Sequence, residues 1–287
     1  MSWRVVARKD FADAVRSRML WGIVGLFALL MGVSALVPSL LDIGGATLGY
    51  NFAADLAQTL VPVTALVAAY LAIAGERESG SIKLLLGAPH SRLDVTVGKF
   101  VGRAGVVLVG VLAGFVVAGL VAVVAYGELA IGEFVSVTVL TAALGVTFVG
   151  IAVGISAATS TRSRAMALAI GVFFVFALLW DLVPFALTYL RTGGLDLGGT
   201  VPAWQVLVEQ SNPSRAFSQL VDAALGSGAE MTAGGGGGGE GAANPFQSRI
   251  AGAEPFYLKD WFMLVILGAW TVLPVIAGHL RFRSADL

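Results

Sequence analysis

The sequence contains no cysteine and only two histidines, His90 and His279. The lack of cysteine excludes disulfides, thiolate metal sites and cysteine nucleophiles. Two histidines are too few for a histidine-rich metal site, and they lie too far apart in the sequence for a zinc-binding His-Glu-x-x-His helix. A phosphate-binding loop is missing too, because Phe100 follows Gly98-Lys99 where the motif needs Ser or Thr. The sequence therefore predicts no catalytic residue, no metal site and no cofactor bound by this chain.

Charged residues are also scarce. They make up 13% of the chain against 57% apolar residues, the net charge is zero, and the mean hydropathy is +0.86. A soluble domain carries about twice that share of charge. A transmembrane helix needs about 20 consecutive, mostly apolar residues. Uncharged runs of 20 to 28 residues occupy 19–41, 56–75, 104–127, 134–161 and 261–280.

A sixth uncharged run, 165–180, is shorter. The apolar sequence resumes beyond Asp181, which predicts a span near 165–187. The predicted fold class is therefore all-α, a polytopic membrane protein with six transmembrane helices. Pairs of small residues four apart predict close contacts between these helices, at Gly98/Gly102, Gly110/Gly114 and Gly150/Gly154.

Basic residues are divided unevenly between the two sides of the predicted bundle. Of the 18 Lys and Arg residues, 14 fall on one side, in 1–18, 76–103, 162–164 and 281–283. Short loops rich in Lys and Arg stay in the cytoplasm. Both termini are therefore predicted to be cytoplasmic, with the chain in the cell membrane. The span interiors carry no charge, which disfavours an ion-coupled carrier.

The chain divides into four predicted segments. They are an amphipathic interfacial helix at 1–18, spans one to five at 19–190, an extracytoplasmic loop at 191–260, and span six with the cytoplasmic tail at 261–287. The first segment is predicted to be an amphipathic helix because its apolar residues recur at helical spacing. The alternative is that this segment is only a basic leader that sets the topology. In the long loop, short helices are predicted at Ala203–Val208 and Pro213–Leu225, followed by a flexible tract, Gly234–Gly239.

The loop 76–103 differs from the other short loops. It begins Glu-Arg-Glu-Ser-Gly-Ser, continues through an apolar cluster and a proline, and reaches Ser91 and Asp94 at capping-box spacing. A short apolar helix between a Gly break and a Pro break predicts a helix parallel to the membrane on its cytoplasmic face. Apolar side chains with a charged rim are typical of a protein-docking element. The alternative is that these charges only mark the inner side of the membrane.

This loop resembles the first cytoplasmic loop of ABC type-2 exporter permeases, which reads approximately Glu-Arg/Lys-Glu-x-Gly-Thr, Leu-Leu, Pro, Ser-Arg and then Gly-Lys. Ser81 stands where Thr is commoner. The resemblance extends over essentially the whole chain, and the subgroup concerned with nitrous oxide reductase maturation is the most similar. It implies an N-terminal elbow helix and a coupling helix that docks on an ATPase. The implied coupling residues are Glu76, Arg77, Glu78, Gly80, Ile82, Leu85, Leu86, Pro89 and Arg92.

The resemblance also implies a function. The chain would be the membrane-spanning permease subunit of an ATP-driven exporter, with ATP bound and hydrolysed by a separate ABC ATPase subunit present in two copies. Its other implied partners are the lipid bilayer and a second permease copy or sister permease; no nucleic-acid partner is implied. The alternative is a mechanotransmitting ABC subunit that passes the ATPase motion to an extracytoplasmic partner without bulk transport.

Overall fold

A computed structural model gives the structure of residues 3–43, 45–82, 91–127, 129–194, 201–226, 250 and 255–285. Across these residues the backbone is helical apart from turns and short connections. Extended segments pair only at an isolated parallel bridge between Val201 and Ile250 within the same ranges. The predicted all-α class is confirmed.

The helices follow the apolar runs of the sequence. They are α1 (Trp3–Val15), α2 (Arg18–Leu40), α3 (Ala46–Ala69), α4 (Ala74–Glu78), α5 (Arg92–Tyr126), α6 (Ile131–Ala158), α7 (Arg162–Phe174), α8 (Leu182–Thr192), α9 (Ala203–Gln210), α10 (Pro213–Leu225) and α11 (Asp260–Arg283). Polar side chains cap several of them, because the first N–H groups of a helix have no partner inside it. Ser17 accepts from the Leu20 N–H before α2, and Thr161 accepts from the Arg164 N–H before α7.

Six helical segments are long and apolar enough to cross a membrane. They are Arg18–Leu40, Ala46–Glu78, Arg92–Tyr126, Ile131–Ala158, Arg162–Leu179 and Asp260–Arg283. The number of spans predicted from the uncharged runs is confirmed. The protein is therefore a multi-pass membrane protein.

The fifth span differs from its predicted range of 165–187. It ends with a π-helical turn, Val175–Leu179, after which the chain turns before α8 begins. Two side chains fix this turn: Trp180 Nε1 donates to a carbonyl of α9 at 3.2 Å, and Asp181 pairs with Arg215 at 2.6 Å. The helix break after Leu179 could not be predicted, because these contacts come from distant parts of the chain.

Small residues bring α6 and α11 together along their length. Gly150 lies against the backbone of Thr271, and Gly154 lies against the backbone of Pro274 and of Gly278. A Cβ added at Gly150, Gly154 or Gly278 would collide with backbone atoms, which have no room to move. The predicted contact at this glycine pair is confirmed.

The other two glycine pairs both lie on α5. Gly98 and Gly102 face α1, where a Cβ added to Gly98 would come within 2.6 Å of the Val6 Cβ. Gly110 and Gly114 face Ile23 and Phe27 of α2. Helix α5 therefore holds α1 and α2 at close range on two successive stretches.

Helices α9 and α10 pack onto the spans at the end of the bundle where α11 begins. Both helices were predicted, and the apolar face of α10 is buried. Polar side chains lock them in place: Asn212 Nδ2 donates to the Phe176 carbonyl at 2.8 Å, and Trp270 Nε1 donates to the Ser211 carbonyl at 2.7 Å. The predicted flexible tract Gly234–Gly239 lies outside the described residues.

Candidate functional site at the basic end of the bundle

The loop predicted to couple to an ATPase lies at the end of the bundle where several arginines meet, here called the basic end. These arginines are Arg77, Arg92, Arg103, Arg162, Arg164 and Arg281. The chain enters the loop through α4 and leaves it through the start of α5. How those two flanks are held determines what the loop can do.

The first flank, α4, is fixed to the end of α6 by a buried serine. The helix is interrupted between α3 and α4, at residues 70–73, which leaves backbone N–H groups without helical partners. The Ser156 hydroxyl accepts from the N–H groups of Ile73 at 2.9 Å and Ala74 at 3.0 Å. One side chain of α6 therefore caps the start of α4.

Arg77 strengthens the same attachment. Its Nη1 donates to the carbonyl of Thr159 at 2.8 Å, just past the last residue of α6. Carbonyls at a helix end lack backbone partners, and the negative end of the helix dipole favours a cation there. The Arg77 guanidinium also lies 5.7 Å from the ring centre of Phe282 in α11. Arg77 therefore links α4 to both α6 and α11.

A cluster of alternating charges connects α4 to α5 and α1. Lys99 Nζ contacts the carboxylates of Asp10, at 2.9 Å, and of Glu76. Arg103 Nε lies 2.9 Å from the other Asp10 oxygen. The side chains of Asp10 and Lys99 are only 4% and 8% exposed, so their mutual attraction is little screened by water. Lys99 thus links α1 to α4, the helix that leads into the loop.

Close packing of α1 on α5 makes this cluster possible. Gly98 and Gly102 let the α1 backbone approach, since a Cβ on Gly102 would lie within 2.9 Å of Asp10. The Trp3 N–H donates to Asp94 Oδ1 at 3.0 Å, which ties the start of α1 to the start of α5. The segment predicted as an amphipathic helix is helical from Trp3 to Val15, and it buries Asp10 along with its apolar face.

The end of α4 and the first loop residues have defined positions. The Glu78 carboxylate accepts from the Arg162 N–H at the start of α7, where the positive end of a helix dipole favours an anion. Gly80 has φ +75°, a conformation that favours glycine, and the chain turns out of α4 there. Ile82 is 1% exposed and belongs to the protein's own core.

The second flank begins at α5 with the predicted capping box. The Ser91 hydroxyl accepts from the Asp94 N–H at 3.1 Å, and the Ser91 N–H donates to the Asp94 carboxylate at 3.0 Å. Arg92 then reaches the end of α11, where its Nη1 lies 2.6 Å from the Phe282 carbonyl oxygen and 2.9 Å from that of Ala285. Its guanidinium also lies 5.4 Å from the Phe282 ring centre. Arg92 therefore caps the last span.

The structure thus brings most of the predicted coupling residues together, but in contact with their own chain. The polar ones bind α5, α6, α7 or α11: Glu76, Arg77, Glu78 and Arg92. Ile82 is buried in the core. Leu85, Leu86 and Pro89 lie outside the described residues. In the part of the chain that the structure describes, no cluster of three His, Cys, Asp or Glu could hold a metal.

Sequence reasoning missed the charge cluster around Lys99. The sequence alone identifies Lys99 as a basic loop residue and as part of the Gly-Lys of the family motif, and Arg103 only as a basic loop residue; it gives Asp10 no role. A signal for Asp10 does exist, because it follows Ala7 by three residues and therefore lies on the apolar face of α1. An acidic residue on a face that becomes buried needs a cationic partner nearby.

Comparison with known proteins fits this architecture. A family model described as "ABC-2 family transporter protein" matches residues 4–287. The "Probable ABC transporter permease protein NosY" of Stutzerimonas stutzeri is 38% identical over 199 residues, which is 66% of this chain and 71% of the relative. The protein of the same name from Pseudomonas aeruginosa is 33% identical over 202 residues, 67% of this chain and 72% of the relative. The resemblance drawn from the first loop is confirmed: the chain belongs to the ABC-2 transporter family and is a membrane permease subunit of an ABC transporter.

Proposed function

We propose that this permease is the membrane subunit of an exporter driven by a separate ATPase, which docks on the segment 83–90. The observation that carries the proposal is that both flanks of this segment are fastened to several spans. Arg77 and Ser156 fasten the first flank to α6, and Arg92 fastens the second flank to the end of α11. Movement imposed on the segment would therefore reach the spans through short, stiff contacts.

The contacts within the chain also narrow the docking surface. Glu76, Arg77 and Arg92 are engaged by neighbouring helices, so they hold the loop in place rather than supply its adhesion. Ile82 is buried and has the same supporting role. Docking affinity then comes from apolar side chains within the segment, and we assign it to Leu85 and Leu86, with Pro89 expected to end the element. Burial of apolar side chains provides most of the affinity at such interfaces.

The proposal includes a topology and an assembly. Because short loops rich in Lys and Arg stay on the cytoplasmic side, the basic end faces the cytoplasm and the opposite end faces outward, in the cell membrane. The family resemblance supports a complex of two ATPase subunits with two permeases, either two copies of this chain or this chain and a sister. ATP is bound by the ATPase subunits, and this chain needs no cofactor of its own.

A second function is favoured by the opposite end of the bundle. Helices α9 and α10 are hydrogen-bonded to the fifth and sixth spans through Asn212 and Trp270, and Gln58 of α3 donates to the Ser214 carbonyl at 3.1 Å. Movement of the spans would therefore be passed to the outer surface. A mechanotransmitting subunit, which moves an extracytoplasmic partner without bulk transport, would use the same path.

The docking proposal is tested by Leu85→Ser/Leu86→Ser in the full chain. Each leucine contributes on the order of 1.5–3 kcal/mol if it is fully buried at the interface, so the double variant should bind the ATPase more than about tenfold more weakly. A matched control is Leu40→Ser/Leu41→Ser, which removes two exposed leucines at the opposite end. Co-purification with the ATPase gives the affinity. Equal binding by the two double variants would refute docking on this segment.

The choice between the two functions needs a different measurement. In proteoliposomes with the ATPase bound, an exporter depletes or accumulates its substrate with ATP, whereas a mechanotransmitter turns over ATP without net movement of any solute. Crosslinking between α9 or α10 and an outer partner that changes with ATP would support the mechanotransmitting function. ATP-dependent accumulation of solute in the proteoliposomes supports the exporter.

A further inference from the structure

The basic end contains a cavity that the coupling proposal does not use. Its volume is about 540 Å³, and it opens where the start of α7 and the end of α11 meet the residues that follow α6. Three arginines line it, Arg77, Arg164 and Arg281, together with Thr159 and Ser284. Its size is within the range of pockets that hold small ligands or headgroups.

No described residue neutralises the positive charge of this cavity. The guanidinium groups of Arg164 and Arg281 have no hydrogen-bond or ion-pair partner among the described residues. Arg77 donates only to neutral carbonyls, and no carboxylate belongs to the described lining. Like charges gathered in one cleft repel one another, so an anion placed between them is stabilised. Guanidinium forks suit the paired oxygens of a phosphate.

Apolar surface continues from the cavity toward the middle of both spans. Leu168 lies one turn from Arg164 on the same side of α7 and is exposed. On α11, Ala277 and Leu273 lie one and two turns from Arg281 and are exposed as well. The cavity therefore joins a cationic pocket at the span ends to two apolar stripes that run along the spans.

We infer that this cavity binds the phosphate of an anionic phospholipid, whose acyl chains lie along α7 and α11. A soluble phosphate would satisfy the arginines but would leave the apolar stripes without a role. A basic pocket between the ends of transmembrane helices is a favourable place for an anionic headgroup. The test below uses lipid and this chain alone, so its outcome does not depend on whether an ATPase docks on the segment 83–90.

The test uses native mass spectrometry on the full chain purified in detergent, with phosphatidylglycerol or phosphatidylcholine added. The variant Arg164→Gln/Arg281→Gln removes two exposed charges and leaves Arg77 in its structural contacts. Loss of one charge-assisted contact lowers an affinity about tenfold, so the double variant should bind phosphatidylglycerol at least about tenfold more weakly. Phosphatidylcholine should bind weakly and equally to both proteins.

A matched control removes two exposed arginines near the N-terminus, Arg8 in α1 and Arg16 just after it, as Arg8→Gln/Arg16→Gln. It should retain phosphatidylglycerol like the unsubstituted chain. Equal loss in the control, or no loss in the Arg164/Arg281 variant, would overturn the site.

Two further arms identify the source of the phosphate. Inorganic phosphate should displace the lipid only at concentrations far above the lipid's own. Displacement at comparable concentrations would assign the pocket to a soluble anion and overturn the lipid proposal. If the chain retains phosphatidylglycerol only after Asp286→Asn, the chain's own carboxylate occupies the pocket. That result would also overturn the lipid proposal.

Discussion

Lys99 of α5 and Asp10 of α1 form a buried ion pair, with 2.9 Å between the ammonium nitrogen and the carboxylate. The same ammonium contacts Glu76 in α4, so Lys99 of α5 links α1 to α4, the helix that leads into the predicted coupling loop. A buried pair of this kind is costly to break, because removal of one partner leaves the other charge in a poorly solvated place. Its main effect is to set where α1 and α4 lie relative to α5.

The first prediction concerns this pair. Asp10→Asn removes the carboxylate shared by Lys99 and Arg103, and we expect a loss of about 3 kcal/mol in the free energy of unfolding. The control is Asp13→Asn, one turn further along the same helix and exposed. Titration with a denaturing detergent, followed by tryptophan fluorescence, gives both values. A loss in Asp10→Asn no larger than in the control would show that the pair does not hold α1.

The second prediction concerns the contact between α6 and α11. Gly154→Ala places a methyl group against the Pro274 backbone, and the two helices must separate. Overpacking of this kind costs about 1–3 kcal/mol. Gly171→Ala is the matched control, because its Cβ meets no atom within 4 Å and alanine favours a helix over glycine. The midpoint of thermal unfolding should fall for Gly154→Ala and stay level or rise for Gly171→Ala.

The spans could be predicted from the sequence because one physical requirement dominates them. About 20 uncharged residues in a row have few alternatives to crossing the membrane. The capping box at Ser91 and Asp94 was equally legible, since both partners lie within one turn. Close contacts at the glycine pairs could be predicted as well, although the helices that these pairs contact could not.

Contacts between distant segments could not be predicted from one sequence. Arg92 caps a helix that ends about 190 residues later, and the loop sequence contains nothing that identifies this partner. Ile82 illustrates the same limit, because an apolar loop residue can equally face a partner protein or the protein's own core. The structure assigns it to the core.

The third prediction concerns the cap formed by Arg92. Arg92→Ala leaves the last carbonyls of α11 without a cationic donor, so the final turn of that helix should open more readily. Because charged hydrogen bonds are lost, we expect amide hydrogen exchange in residues 280–284 to become about tenfold faster. Arg283→Ala is the control, since it removes an exposed arginine from the same helix end. Unchanged exchange in Arg92→Ala would show that the helix end is stable without the cap.

The last prediction concerns which end of the bundle faces the cytoplasm. The chain contains no cysteine, so single cysteines can be introduced at exposed positions without background. Ser79→Cys, Ser163→Cys and Ser284→Cys lie at the basic end, and Ile43→Cys and Ile131→Cys lie at the opposite end. Because short basic loops stay inside, an impermeant thiol reagent added to intact cells should label only the two opposite-end cysteines. The other three should react after the membrane is permeabilised, which controls for their accessibility. Labelling of Ser163→Cys in intact cells would reverse the orientation and remove the ATPase from reach of the loop, and with it the proposed mechanism.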